Sequence, residues 1–144
     1  MRFRDCIEFA NQNKTCFLAT IDGDQPMVRG FKLWYADELG FYFYTFAKKS
    51  VYRQLLINPR VEICFHAPGQ SPDVGTMLRV SGKIRFLEDM ELKMKLFAER
   101  PNPKMVVRNV EDTGLVVFKV YTGEAFFWKM ENNLKESGIE RIRF

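Results

Sequence analysis

The chain has 144 residues, 47% of them hydrophobic and 28% charged, which predicts one globular domain spanning residues 1–144 and excludes disordered and collagen-like classes. Its formal charge of +4 is compatible with an anionic ligand but too small to indicate a nucleic-acid partner. The longest apolar runs are much shorter than a membrane span, and charged residues interrupt the N-terminus, so we expect no membrane partner and a cytoplasmic location.

The first half of the chain predicts a helix, a hairpin and an aromatic strand. Apolar residues recur at helical spacing over residues 3–10, so an amphipathic helix opens the chain. Strands at 15–21 and 27–35 flank turn-forming residues and predict a hairpin. After a second turn, the run 41–45 is aromatic, contains no helix former and gives the clearest strand signal in the sequence.

The second half predicts two further helices between strands. One helix runs from Ser50 to about Asn58, and another begins near Glu88. The apolar stripe of this later helix consists of Met90, Met94 and Phe97. Strands are predicted at 61–65, 77–87, 115–121, 125–130 and 139–144, and the segments on either side of Gly123 could also form one long bent strand.

Short strands joined mostly by hairpins predict a mainly β protein that also contains α-helices. We expect an antiparallel barrel of six to seven strands with flanking helices. Neither the glycine-rich dinucleotide-binding motif nor the phosphate-loop motif occurs in the sequence, which argues against dinucleotide binding of the Rossmann type.

Few side chains in the sequence support acid–base, nucleophilic or metal chemistry. His66 is the one histidine, and at the end of an apolar strand it is better explained as a structural residue. Cys6, Cys16 and Cys64 have neither disulfide-framework nor metal-site spacing and are interpreted as buried thiols. We therefore assign no catalytic side chain and no metal ligand.

Cations gather around the aromatic strand. Lys48 and Lys49 precede Ser50 at the predicted start of a helix, and Arg29 and Lys32 lie on the neighbouring hairpin strand. Free backbone amides, a hydroxyl group and several cations together would bind a phosphate dianion. From spacing alone, Lys48 and Lys49 could equally be loop residues that only increase solubility.

A series of short motifs over about residues 5–130 resembles the pyridoxamine 5′-phosphate oxidase-like, FMN-binding split-barrel family. Each motif is weak alone, but their order is specific. The motifs are Phe17-Leu-Ala-Thr20, Asp22-Gly-Asp-Gln-Pro26, Val28-Arg29, Phe43-Tyr-Thr45, Lys48-Lys-Ser50, Tyr52-Arg-Gln-Leu55, Asn58-Pro-Arg-Val61 and Leu78-Arg-Val-Ser-Gly82. The resemblance implies a split barrel that binds FMN between the two subunits of a homodimer.

The resemblance also implies which residues bind the cofactor. Arg29 corresponds to the first phosphate-binding arginine, Tyr44 and Thr45 to the segment beside the isoalloxazine ring, and Lys49 and Ser50 to the loop that closes on the phosphate. The cation pattern adds Lys32 and Lys48 to the expected cofactor-binding set. Gln54 matches a glutamine of the following helix, to which we assign no contact.

Three departures argue against a true pyridoxamine 5′-phosphate oxidase. Trp34 replaces a lysine of the family pattern, and Met77 replaces a glutamine that contacts the ring. The C-terminal arginine- and histidine-containing stretch that recognises the vitamin B6 phosphate has no counterpart at 126–133. The chain is more similar to the short members, the general-stress-protein and nitroimidazole-resistance-like flavoproteins.

These features together predict an FMN-dependent oxidoreductase that transfers electrons from NAD(P)H to a small acceptor, with the redox step carried out by the flavin. Two alternatives within the fold stay open: a flavin-binding redox or stress sensor without turnover, and a deazaflavin-dependent reductase. Single-stranded nucleic-acid binding is disfavoured, because the basic residues are spread along the chain.

Overall fold

The computed structural model describes residues 1–106, 108 and 114–144. The helices in this part of the chain are α1 (Phe3–Gln12), α2 (Ser50–Ile57), α3 (Met90–Glu99) and α4 (Pro101–Val106). The strands are β1 (Thr15–Asp22), β2 (Gln25–Lys32), β3 (Tyr35–Asp37), β4 (Gly40–Phe46), β5 (Arg60–Ala67), β6 (Thr76–Leu87), β7 (Leu115–Trp128) and β8 (Ile142–Arg143). None of the helices described is both long and apolar enough to cross a membrane.

The strands form one antiparallel sheet in the order β2-β1-β5-β6-β7-β4-β3, with β8 beside β7. The sheet curls on itself. Phe31 of β2 and Phe43 of β4 belong to strands that are distant in the sheet order, yet their ring centroids are only 5.7 Å apart. No ladder joins β2 to β4 among the described residues. The mainly β, antiparallel split barrel is therefore confirmed.

The barrel has eight strands rather than six or seven, since the segment predicted as one strand at 27–35 is divided. β2 ends at Lys32, and the chain bends through the buried residues Leu33 and Trp34 before β3 begins. The Leu33 amide bonds to the Lys14 carbonyl and the Trp34 amide to the Tyr42 carbonyl, so each side of the bend follows a different neighbouring strand.

Strand alternation directs the apolar side chains into the barrel, and two helices pack against it. Cys16 and Leu18 of β1 point inward and are fully buried, whereas Phe17 between them is exposed. The Asn11 side chain of α1 exchanges two 2.9 Å hydrogen bonds with the Ala36 backbone. Helix α2 buries Val51, Gln54 and Leu55, which places a polar side chain on its packed face.

Of the two alternatives predicted around Gly123, the single long strand is confirmed, because β7 continues through this residue. Gly123 lies opposite Gly82, and a Cβ on Gly123 would stand 2.7 Å from the Gly82 Cα. The ladder shifts register beside this pair, which leaves Tyr121 as the extra residue of a bulge. The two glycines therefore allow a close approach of β6 and β7, and Gly123 does not form a turn.

Two further expectations need correction. Met90 and Met94 of α3 are 43% and 56% exposed, whereas Phe97 of the same predicted stripe is partly buried against the second apolar cluster around Trp34. The helix buries Leu96 and Lys93, and Leu96 belongs to this cluster. The C-terminal strand predicted at 139–144 is limited to the two residues of β8.

Candidate functional site

A cleft of about 590 Å³ opens at the split in the barrel, where β2 faces β4 and α2 begins. Its mouth is polar and cationic, and its walls are largely aromatic. It is lined by Thr15, Arg29, Gly30, Phe31, Lys32, Tyr44, Phe46, Lys49, Ser50 and Val51. The edge strand β2, the penultimate strand β4 and the start of α2 each contribute residues, so the cleft lies where the curled sheet leaves a gap between β2 and β4.

Three cations of the cleft have no acidic partner. Within the described part of the chain, Arg29, Lys32 and Lys49 have no carboxylate oxygen within 4.0 Å, whereas the neighbouring Arg53 pairs with Asp22 at 3.1 Å. Like charges that converge without counter-charges repel one another and favour an anionic ligand between them. The cleft is therefore electrostatically prepared for an anion.

Arg29 differs from the two lysines because neutral groups hold it. Its guanidinium donates to the Thr20 hydroxyl at 2.8 Å, to the Leu18 carbonyl at 3.2 Å and to the Gln54 side-chain oxygen at 2.5 Å. Partial burial lowers the pKa of Arg29 below its ordinary value, but a guanidinium keeps its charge in proteins. The structure thus fixes a full positive charge at the inner end of the cleft.

The start of α2 adds donors beside this charge. Lys49 is the N-cap residue, and its side chain makes no capping hydrogen bond to the helix. Ser50, the first helical residue, is exposed at the cleft. Amides of a first helical turn point outward along the axis, so a bound anion can accept hydrogen bonds from them.

Aromatic rings form the walls. Phe31 packs edge-on against Phe43 and against Phe118, with centroids 5.7 and 6.0 Å away. Tyr44 and Phe46 follow each other on one face of β4 at 6.2 Å. These contacts hold the rings in place, so the cleft presents a preformed apolar surface next to its cationic mouth.

The structure brings five of the seven predicted cofactor-binding residues together: Arg29, Lys32, Tyr44, Lys49 and Ser50. It does not bring the other two to the cleft. The Thr45 side chain is buried, and its hydroxyl has no hydrogen-bond partner among the described residues. Lys48 is exposed outside the lining. Cofactor binding by any of the seven stays a prediction.

Sequence reasoning missed the side chains that hold Arg29. Thr20 and Gln54 are 2% and 1% exposed, and the Thr20 hydroxyl donates to the Gln54 oxygen at 2.6 Å. One signal was available, since Gln54 shares the helical stripe of Val51 and Leu55. A glutamine on an apolar face indicates a polar partner inside the protein.

A second and larger cavity, which we call the trough, has about 860 Å³ and lies across β1, β5, β6 and β7. It contains none of the predicted site residues. Its lining contains the cations Arg60, Lys83 and Arg143 together with the acids Glu62 and Glu124, of which Glu62 is paired with Arg79. Mixed charge and an open apolar floor make it a weaker candidate than the cleft, despite its size.

Comparison with known proteins identifies the family. The sequence model of the Pyridoxamine 5′-phosphate oxidase family matches residues 4–129. A pyridoxine/pyridoxamine 5′-phosphate oxidase of Anaeromyxobacter dehalogenans (strain 2CP-C) is 34% identical over 111 residues, which cover 73% of this chain and 54% of the relative. The chain thus spans about half the length of that relative.

Solved structures share the fold at low sequence identity. A NimC/NimA family protein from Clostridium acetobutylicum superposes with a TM-score of 0.77 at 24% identity, covering 98% of this chain and 92% of the other. An FAD-binding protein from Mesorhizobium loti gives a TM-score of 0.69 at 17% identity, covering 88% and 94%. With the family match over most of its length, the chain belongs to the pyridoxamine 5′-phosphate oxidase family.

Proposed function

We propose that the chain is an FMN-binding oxidoreductase that holds its cofactor in the cleft and transfers electrons from NAD(P)H to a small acceptor. The observation that carries the proposal is the convergence of Arg29, Lys32 and Lys49 without acidic partners, beside aromatic walls, in a member of this family. The FAD-binding protein of the same fold is consistent with a flavin ligand.

The phosphate end of FMN fits the cationic mouth. Arg29 supplies an immobilised charge, Lys49 and Lys32 supply flexible charges, and Ser50 supplies a hydroxyl group. A dianion binds such a set well, since hydrogen bonds to charged partners are stronger than neutral ones. Thr45 and Lys48 belong to the proposed set through the sequence alone.

The ring end fits the walls of the cleft. Tyr44 and Phe46 offer a flat apolar surface, and Phe31 closes the opposite side against the barrel interior. When bound, a flavin accepts and donates one or two electrons. The side chains of this chain bind the phosphate, orient the ring and exclude water from its inner face.

Vitamin B6 phosphate is not the substrate that we propose. Trp34, which replaces the family lysine, is buried, and its indole N–H donates to the Glu99 carboxylate at 2.9 Å. It is therefore a packing residue of the second apolar cluster and adds no cation to the cleft.

We further propose a homodimer formed through the outer face of β1, β2 and β5. Phe17 and Val28 point outward and are 53% and 69% exposed, and the half-buried Cys64 lies opposite Phe17 on the same face. This face continues into the cleft through β2, so a second copy seated on it would border the cofactor. Light scattering should give twice the mass of one chain, and V28D should lower it.

The first test is the visible spectrum of the purified protein, with identification of the chromophore released by acid. Two flavin bands in the spectrum and released FMN support the proposal. If FAD or a deazaflavin is released, that compound is the cofactor instead of FMN. A colourless protein that takes up no FMN from excess contradicts it.

Turnover requires a separate measurement. Oxidation of NADH or NADPH should exceed the rate of free FMN when a quinone or nitro compound is supplied. Holoprotein that binds FMN tightly but gives no rate above this control would be a flavin-binding sensor.

A further inference from the structure

The Gln54 side chain occupies an unusual place for an amide. It is 1% exposed on the packed face of α2, and its oxygen accepts from Arg29 Nη2 at 2.5 Å and from the Thr20 hydroxyl at 2.6 Å. Thr20 in turn accepts from Arg29 Nη1 at 2.8 Å. The three side chains thus form a closed triangle of hydrogen bonds under the cleft.

The donors around it determine how the amide is oriented. Both Arg29 and Thr20 donate, so the carbonyl oxygen of Gln54 must face them. The amide N–H₂ lies toward Asp22, whose pKa is lowered by Arg53 first and by a hydrogen bond from Gln54 to a smaller extent. The side-chain acceptors of the Arg29 guanidinium are thus a neutral amide and a neutral hydroxyl group.

This position has two consequences for Arg29. A buried acceptor restricts a long and flexible side chain to one rotamer before any ligand arrives. Because the acceptor is uncharged, the guanidinium is held without being neutralised. A carboxylate in the same place would hold Arg29 equally well but would cancel the charge that an anion needs.

We propose that Gln54, supported by Thr20, is the positioning residue that presents Arg29 as a preformed and uncompensated cation to the phosphate of the cofactor. This inference rests on the proposed FMN site. Because Gln54 acts on the phosphate contact only, its loss should affect the binding of FMN and not that of riboflavin, which has the same ring system without the phosphate.

The experiment compares the dissociation constants of FMN and riboflavin for the apoprotein, measured by quenching of flavin fluorescence. Q54L should weaken FMN about tenfold and leave riboflavin within about twofold, because only the phosphate contact loses its organised partner. Q54E, which is nearly isosteric and keeps the packing, should weaken FMN at least as much by neutralising Arg29.

A double-mutant cycle with R29Q separates positioning from general damage. Once Arg29 is replaced, Q54L should have no further effect on the preference for FMN. The matched control is R53Q, the preceding residue of the same helix, which removes an exposed ion pair with Asp22. It should keep the wild-type preference.

The outcomes distinguish two failures. If the wild-type protein binds FMN and riboflavin equally well, the phosphate site itself is wrong, and the proposed function fails with the inference. If the wild-type protein prefers FMN and R29Q abolishes that preference, the site stands. The inference about Gln54 is then overturned should Q54E keep the preference, or should Q54L weaken both flavins alike.

Discussion

The cleft and the trough are both large enough for a flavin-sized molecule, yet they differ in how their charges are arranged. In the cleft, cations converge without carboxylates, and one of them is held by neutral groups. In the larger trough, Arg60, Lys83 and Arg143 share the lining with Glu62 and Glu124, although no salt bridge within 4.0 Å joins them among the described residues. The arrangement of charge, more than the volume, therefore indicates which cavity binds an anion.

The floors of the two cavities differ as well. A Cβ on Gly30 in the cleft would meet nothing within 4 Å, whereas a Cβ on Gly123 in the trough would overlap the Ser81 carbonyl oxygen. Gly123 and Gly82 are therefore required by the close approach of β6 and β7. The shape of the trough thus follows from the close packing of β6 and β7, whereas the cleft is present because the sheet does not close completely between β2 and β4.

Removing positive charge from the cleft should have a much larger effect on FMN binding than removing it from the trough. Replacing both cleft cations, R29Q with K49Q, should weaken FMN binding about 100-fold, since two charged phosphate contacts are lost. The matched pair in the trough, R60Q with K83Q, removes the same charge and should change FMN affinity less than about twofold. Fluorescence titration of the apoproteins measures both.

An equal loss from the two double variants would show that only overall charge attracts the flavin. Circular dichroism of each variant is the control for folding. A titration at higher salt adds a second check, because screening should reduce FMN affinity more than riboflavin affinity.

A methyl group added to a glycine should destabilise the protein at the trough but not at the cleft. G123A should destabilise the protein by about 2–4 kcal/mol, because the new methyl group meets backbone atoms that cannot move without disturbing the ladder. G30A should change the free energy of unfolding by less than about 0.5 kcal/mol. Urea unfolding followed by tryptophan fluorescence measures both free energies of unfolding. If G123A and G30A lower this free energy equally, the claim that only Gly123 lacks room for a side chain is wrong.

A smaller effect separates two neighbouring lysines. Lys49 lines the cleft, whereas Lys48 is exposed outside it. K49Q should therefore weaken FMN about tenfold, and K48Q clearly less, although both remove one charge. A larger loss from K48Q would mean that the loop before α2 rearranges around the phosphate.

Local patterns were sufficient for most of the fold, because periodicity and turn chemistry act over a few residues. The aromatic strand β4 and the helix α2 lie close to their predicted positions. Local patterns left the structure undecided where tertiary contacts determine it. Gly123 has the residue type of a turn, but its partner Gly82 lies far away in the sequence, and only their pairing shows why β7 continues.

The site was predictable to the extent that its residues are charged and close to the split. Arg29 and Lys49 could be identified as cations near one strand, and the family resemblance supplied their role. Thr20 and Gln54 could not, because their contribution is a hydrogen-bond triangle across 34 residues of sequence. In the sequence, Phe31 cannot be distinguished from a core aromatic residue, and only the gap between β2 and β4 shows that it lines the cleft.

The pH dependence of stability tests whether water reaches the interior beneath the cleft. Cys16 lies under Phe31 on the inner face of β1, and burial, with a smaller contribution from Cys64, raises the pKa of its thiol to about 12. The unfolded thiol ionises near 9.0, so this contribution to stability is complete below pH 9 and is lost as the pH rises toward 12. Stability should thus fall by up to about 1.4 kcal/mol per pH unit from this group, and C16A should show a shallower decline between pH 9 and 10. Urea unfolding at each pH measures both slopes, and identical slopes would mean that water reaches Cys16 through the cleft.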